Sequence, residues 1–393
     1  MTQPYAPGAH MRAEIYEQPE ALARLLARAD AALPPIADAA RTCTFAVLAA
    51  RGSSDNASIY GKYLLEGQAR MPTALAAPSL YTLYGTPPRL ADALVVGVSQ
   101  SGAGADVTAV LEAGRRQGAV TLAITNTPGS PITAAAEHVL LLDVGPERAL
   151  AATKTVTAQC AAYAGLVAAM QDDAALKQHL HCLPHYVRNA LSREPLLTAW
   201  VPSLLREKRL AVIGRGYAYG AAHEIALKLK ETCFISAHAY SAADFLHGPL
   251  ALIEPGYPVI ILLNHDETQA TTVQVIARIL ERGGRIFCLA TSPAAAALPD
   301  HPMLNALVVD APSSLLSPHR IYRRWAVACL KPLLATRPQP RSIARGQQGD
   351  RDEVDKQVVE SPLRYARRVH PDLGDGHRGS SRRHRIRLRR HLR

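Results

Sequence analysis

Residues 93–126 read ALVVGVSQSGAGADVTAVLEAGRRQGAVTLAITN. The stretch opens with an apolar run that ends in a Ser-Gly loop, continues with a helical segment that closes at Gly118, and ends in a second apolar run. A strand, a helix and a strand in this order form a unit whose two strands lie parallel in one sheet. The stretch therefore predicts an α/β protein built on an open, doubly wound parallel sheet with flanking helices.

The same alternation continues on both sides of this stretch. Apolar runs at 44–50 and 138–144 predict further strands, and the pattern restarts at 209–216 after a helical stretch at 170–207. More strands are predicted at 257–264, 284–290 and 305–310. Because one order of elements appears twice, we predict two tandem copies of one fold. The expected boundaries are an N-terminal helical segment 1–30, a first domain 31–170, a helical linker 171–200, a second domain 201–317 and a tail 318–393.

Two shorter regions carry specific expectations. Residues 10–40 are predicted to be helical. Glu20 to Ala40 is rich in Ala, Leu and Arg, and Pro34 and Pro35 interrupt the helix near its end. RGSSDNAS (51–58) is predicted as a loop between the strand before it and a helix over 59–67.

The net charge of +11 comes from the C-terminal region. From His319 onward the sequence has 20 basic and 7 acidic residues, so residues 1–318 have 24 basic and 26 acidic residues. The body is thus mildly acidic. Residues 370–393 are basic but almost lack aromatic side chains, which is poor evidence for nucleic-acid binding. We expect no nucleic-acid partner.

The lack of a targeting segment and the pattern of cysteines predict a cytoplasmic protein. The N-terminus has no hydrophobic signal segment, and no apolar run approaches the roughly 20 residues that span a bilayer. The six cysteines form no CxxC pair, so we expect buried free thiols and neither a metal site nor a disulfide framework. No membrane partner is expected.

Two loops that follow predicted strands are rich in Ser and Gly. They are Gly52-Ser53-Ser54 and Ser99-Gln100-Ser101-Gly102. Such loops lie at the carboxyl edge of a parallel sheet and precede helices, whose N-terminal amides favour an anion. The alternative is that these serines only cap the helices. Two loops of this type favour a phosphate site, whereas the spacing of GRGYAYG (214–220) argues against a dinucleotide site.

A second group of candidate residues follows in the second domain. Glu224, Lys228 and Glu231 are spaced to share one face of a helix, and His247 lies in a Gly-Pro turn. The alternative is a solvated salt-bridge stripe with an incidental histidine. Proton transfer between adjacent sugar carbons needs a carboxylate base, and a histidine is suited to exchanging a proton with the ring oxygen.

At these residues the sequence resembles the sugar isomerase (SIS) domain family. More narrowly, it is similar to the isomerase half of glutamine–fructose-6-phosphate aminotransferase and to stand-alone glucosamine-6-phosphate deaminases. The motifs are HMRAEIYEQP (10–19), RGSSDNA (51–57), SQSG (99–102), ATKTVTAQ (152–159) and KLKETCFISAHAYSAADFLHGPLALI (228–253).

The resemblance implies two tandem SIS domains and a role for each matching position. Glu231 would be the base that moves a proton between C2 and C1, with Lys228 assisting and Glu224 matching a conserved acidic position. His247 would open the sugar ring, and in relatives it comes from the other subunit of a dimer. The phosphate-binding residues would be Gly52, Ser53, Ser54, Ser99, Gln100 and Ser101. Ala103 and Gly104 depart from the family, in which a Thr after SQSG helps to hold the phosphate.

The resemblance also implies the substrate class: a hexosamine or fructose 6-phosphate, handled by a homodimer without a cofactor. Since the sequence begins where the isomerase half begins, we expect deamination of glucosamine 6-phosphate to fructose 6-phosphate and ammonia. The alternatives are an aminotransferase-type isomerising activity, action on another amino-hexose phosphate, or a non-catalytic sugar-phosphate sensor. A sensor would need the serine loops but not the pair Glu231 and His247.

The tail departs from the family ending, which contains a Ser-Lys-Val-Thr-Glu-like run. The codons for residues 346–353, read one nucleotide later, can spell VSKVTETR, and Val354-Asp355 then permits a stop codon. Our hypothesis is a single frameshift near Pro318, which would leave residues 318–393 out of frame and poorly ordered. The enzyme would then be less active than a frame-restored version. The DNA sequence of the gene decides it.

Overall fold

A computed structural model describes residues 8–309. They form two parallel five-stranded sheets, with strand orders β2-β1-β3-β4-β5 and β10-β9-β8-β6-β7, which confirms the predicted α/β class with two doubly wound sheets. The strands are β1 Phe45–Ala49, β2 Thr73–Leu75, β3 Ala93–Ser99, β4 Val120–Thr125, β5 His138–Leu141, β6 Arg209–Gly214, β7 Ser236–Ser241, β8 Pro258–Leu263, β9 Arg285–Thr291 and β10 Leu304–Val309. The predictions for 1–7 and for 310–393, including the tail, lie outside the described residues.

Helices surround both sheets. Those that precede the second sheet are α1 Ala9–Tyr16, α2 Gln18–Arg41, α3 Ser53–Gly67, α4 Ser79–Thr82, α5 Ala105–Arg116, α6 Pro131–Ala135, α7 Lys154–Met170, α8 Ala174–Leu180, α9 Leu183–Leu191, α10 Glu194–Thr198 and α11 Val201–Leu204. We call each sheet with its helices a lobe. The helices of the second lobe are α12 Tyr219–Cys233, α13 Ala242–Leu246, α14 Gln269–Glu281 and α15 Ser292–Ala295. None of the helices in the described part of the chain is long and apolar enough to cross a membrane.

Strand β3 shows why its residues form a central strand. Leu94, Val96 and Val98 are buried in the core shared with α2 and α7, whereas Val95 is buried in a separate core beneath α5. A strand covered by helices on both faces needs a continuous apolar run rather than an alternating one. The predicted sheet thus follows from the run that opens residues 93–126.

Helix α2 differs from the prediction, because Pro34 and Pro35 lie inside it and it continues to Arg41. Each proline removes one backbone donor, which weakens a helix that has no other support. Here Leu33, Ile36 and Ala37 are buried in the main core around the prolines. Tertiary packing on one face therefore holds the helix together through the proline pair.

The cysteines also differ in part from the prediction. Cys233 and Cys288 are buried free thiols, whereas Cys43, Cys160 and Cys182 are only partly buried.

The two lobes meet through α3 and α12, which pack antiparallel. Near the start of α12, Gln68 Nε2 donates to the Tyr217 hydroxyl at 3.1 Å. Further along α12 the contacts move back along α3: a Cβ on Gly220 would lie 2.5 Å from the carbonyl oxygen of Asn56, and Asn56 Nδ2 donates to Glu224 Oε2 at 2.9 Å. The carboxyl half of α12 therefore points toward the amino end of α3.

Gly220→Ala is expected to lower the free energy of unfolding by about 1–3 kcal/mol, because the added methyl group meets backbone and forces the helices apart. Urea unfolding followed by circular dichroism measures the loss. Lys230→Ala, at an exposed position of the same helix, should change stability by less than about 0.5 kcal/mol. Equal stability of Gly220→Ala and the wild type would contradict the close packing of α3 on α12.

Candidate active site

The two serine loops lie side by side at the carboxyl edge of the first sheet. β1 and β3 are adjacent, with Ala49 opposite Gly97. β2 lies on the other side of β1, so the order of the strands reverses at β1. This reversal of strand order opens a crevice where α/β proteins bind ligands. The sheet therefore brings the loops that contain Ser54 and Ser99 to one place.

The alternative that these serines cap helices is wrong. The residues before α3 and α5 are Gly52 and Gly104, and neither helix start has a side-chain capping bond. α3 begins at Ser53, so part of the predicted loop 51–58 is helix. Gly52 has φ 55°, which favours glycine because a side chain would clash with the backbone there.

In the second loop the serine side chains shape the backbone. Ser99 Oγ accepts from the amide of Gly102 at 3.1 Å, and Ser101 Oγ accepts from the amide of Ala103 at 3.4 Å. The carbonyl oxygen of Gln100 accepts from the Thr127 hydroxyl at 3.2 Å. Both serine oxygens act here as acceptors, which leaves their protons to be donated to a ligand.

Helix α7 supports Ser54 from behind. Gln159 Nε2 donates to Ser54 Oγ at 3.0 Å, and Ser58 Oγ donates to the Ser54 carbonyl oxygen at 2.9 Å. Ser58 lies 3.0 Å from the hydroxyl of Tyr163, which is completely buried, and burial raises the pKa of Tyr163 well above its usual value. Gly61 makes room for this ring, since a Cβ there would lie 2.6 Å from it. Sequence reasoning missed Gln159, although it ends the motif at 152–159.

The N-terminal motif and the motif at 152–159 also meet. The buried Glu14 carboxylate accepts from the amides of Arg148 and Ala149. The buried Lys154 forms an ion pair with Glu17. These contacts fix the loop that leads into α7, and thus the helix that carries Gln159.

The three predicted residues of α12 form a chain of charges whose first two members are buried, so the alternative of a solvated stripe is wrong for Glu224 and Lys228. The side chains of Glu224 and Lys228 are 4 % and 1 % exposed, whereas that of Glu231 is 36 % exposed. Lys228 Nζ donates to Glu231 Oε2 at 2.5 Å and lies 3.6 Å from Glu224 Oε1. One cation thus serves two carboxylates, and the outer carboxylate is the one that a ligand can reach.

The antiparallel packing sets where Glu231 lies. Glu224 is bonded to Asn56, two residues beyond Ser54, and Glu231 lies about 10 Å further along α12 at 1.5 Å per residue. That direction runs toward the amino end of α3. The base candidate and the serine loop therefore lie on the same side of the interface between the lobes.

His247 lies elsewhere in the same chain. It is exposed and directly follows α13, after the carboxyl end of β7, whereas Glu231 lies before the amino end of β7. The six residues of β7 span about 20 Å. The structure therefore does not bring His247 and Glu231 of one chain together.

Two other titratable groups lie near these residues. Burial raises the pKa of Asp55, next to Ser54, and the nearby Arg51 opposes the rise. Burial, with a smaller effect of Lys230, lowers the pKa of His223, which therefore favours its neutral form. In residues 8–309 no group of three His, Cys, Asp or Glu side chains could hold a metal ion.

Comparisons with known proteins agree with this fold. The SIS domain family matches residues 43–169 and 203–302, one segment for each sheet. A relative described as glutamine–fructose-6-phosphate aminotransferase (isomerizing) from Thermus thermophilus is 34 % identical over 285 residues, 68 % of this chain and 47 % of that protein. One of the same description from Methanothermobacter thermautotrophicus is 36 % identical over 282 residues, 70 % of this chain and 46 % of that protein. The chain thus spans about half the length of these curated relatives.

A solved structure has the same fold as this chain. The C-terminal domain of glucosamine-fructose-6-phosphate aminotransferase from Francisella tularensis superposes with a TM-score of 0.75 at 25 % identity. The alignment covers 83 % of this chain and 95 % of that domain. On the matched segments and the shared fold, this chain belongs to the SIS domain family.

Proposed function

We propose that this chain is an aldose–ketose isomerase of the aminotransferase type, which moves a proton between C1 and C2 of an opened hexose or hexosamine 6-phosphate. The observation that carries the proposal is the pair Lys228 and Glu231, bonded at 2.5 Å at the end of α12 that points toward the serine loop. The relatives' descriptions favour this activity over the stand-alone deaminase that the sequence first suggested.

The phosphate occupies the crevice between the two serine loops. Hydroxyl groups of Ser54, Ser99 and Ser101 donate to its oxygens, together with the side-chain amide of Gln100. The amino ends of α3 and α5 add backbone amides and a favourable dipole. The sugar carbons then extend from the phosphate toward the end of α12.

The carboxylate of Glu231 takes the proton from one of the two carbons and returns it to its neighbour, so the carboxylate is regenerated in each cycle. Lys228 holds this carboxylate in place through its hydrogen bond and offsets negative charge that develops on the substrate. His247 of a second copy of the chain exchanges the proton that opens and closes the sugar ring. The functional unit is then a homodimer.

Proton transfer in D₂O tests the proposal directly. We expect the full chain, incubated with fructose 6-phosphate or glucosamine 6-phosphate, to place deuterium at C1 or C2, as followed by NMR. Release of ammonia from glucosamine 6-phosphate would add the deaminase activity. Absence of deuterium exchange with both substrates, while either still binds, would contradict the proposal and favour a sugar-phosphate sensor.

A further inference from the structure

Asn56 joins the helix of the proposed phosphate site to the helix of the proposed base. It lies in the first turn of α3, two residues after Ser54, and donates through Nδ2 to Glu224 Oε2 at 2.9 Å. Glu224 is 3 % exposed and belongs to the other lobe. This hydrogen bond therefore links the two halves of the proposed site through a partly buried contact.

Beyond Glu224 the chain of contacts continues to the base candidate. The second oxygen of Glu224, Oε1, is buried without a hydrogen-bond partner among the described residues, and it lies 3.6 Å from Lys228 Nζ. The same Nζ lies 2.5 Å from Glu231 Oε2. Lys228 is thus placed between two carboxylates and is held closer to the outer one.

The side-chain amide of Asn56 bears on which of the two carboxylates Lys228 holds. A buried carboxylate that loses a hydrogen-bond donor must recover the interaction from another group. The cation next to Glu224 is Lys228, which would have to move only from 3.6 Å to hydrogen-bond distance to supply it. As long as Asn56 donates to Glu224 without contributing charge, Lys228 is free to hold Glu231.

We propose that Asn56 is a positioning residue, which satisfies Glu224 and thereby keeps Lys228 on Glu231. This inference rests on the proposed function for its effect on catalysis, but not for its effect on the position of Lys228. Asn56 and Ser54 lie in the same helical turn. The position of Lys228 between the two carboxylates therefore also depends on the turn that is proposed to hold the phosphate.

Asn56→Leu, which keeps a similar shape and removes the donor, tests the proposal in two ways. A crystal structure of the variant should place Lys228 Nζ within hydrogen-bond distance of Glu224 and away from Glu231. In turnover, kcat should fall about tenfold with KM changed less than about threefold, because the base and not the phosphate is affected. An unchanged lysine, or a raised KM at unchanged kcat, would overturn the proposal.

A double-mutant cycle separates positioning from packing. Glu224→Gln removes the competing charge, so Asn56→Leu should change kcat less than about twofold in that background. An equal loss in both backgrounds would overturn the proposal, because it would show that Asn56 does not act through Glu224. Asn56→Ala, which truncates the side chain and withdraws the donor, takes the place of Asn56→Leu if the latter does not fold. If the wild type has no activity, the proposed function fails, and the crystal structure alone still decides the role of Asn56.

Discussion

Glu231→Gln is expected to lower turnover of the sugar phosphate by about 10²–10⁴-fold, the contribution of a well-placed general base. Glutamine keeps the size of the side chain and an oxygen that accepts from Lys228, but it cannot take up the proton. Because the loops proposed to bind the phosphate lie in the other lobe, the dissociation constant of the substrate should change less than about threefold. NMR spectra of samples quenched at successive times give the rate, and isothermal titration calorimetry gives the dissociation constant.

Glu281→Gln provides the matched control. Glu281 ends α14, where its exposed side chain pairs only with Arg278 among the described residues, and its loss should leave turnover unchanged. Normal turnover by Glu231→Gln would show that the base is another group. Weak binding with little change in kcat would place Glu231 in substrate binding instead.

The strands were the most predictable part of this protein. Parallel strands that are covered on both faces are continuous apolar runs, and such runs stand out at 93–99, 120–125 and 258–263. The continuation of α2 through Pro34 and Pro35 could not be predicted, because it depends on packing against α7 and not on local preference. The start of α3 at Ser53 was hidden by a sequence rich in Ser, Asp and Asn, which resembles a loop.

The candidate site was predictable where it depends on spacing within one element. The positions of Glu224, Lys228 and Glu231 on one helix face follow from the helical period, but their burial does not, because it is set by α3. Gln159 and Asn56 act through contacts with residues more than 100 positions away in sequence. No local pattern shows such contacts, so these two residues emerged only from the structure.

Mixing two inactive variants is expected to restore activity. Glu231→Gln and His247→Asn should each be nearly inactive alone if one chain supplies the base and its partner supplies the histidine. In a mixed dimer one site carries both substitutions and the other carries neither. Random pairing of equal amounts makes half of the dimers mixed, so co-refolded chains should recover about a quarter of the wild-type activity.

The distance within one chain makes this test decisive. Glu231 precedes the amino end of β7 and His247 follows its carboxyl end, and the six residues of this strand span about 20 Å, which is more than any change of side-chain rotamer can span. If both residues nevertheless acted within one chain, every site in the mixture would carry one substitution and no activity would return. Each variant refolded with itself provides the control for the procedure. Recovery confined to the mixture would therefore establish that the site is shared between two copies, whereas its absence would show that the site is not shared in this way.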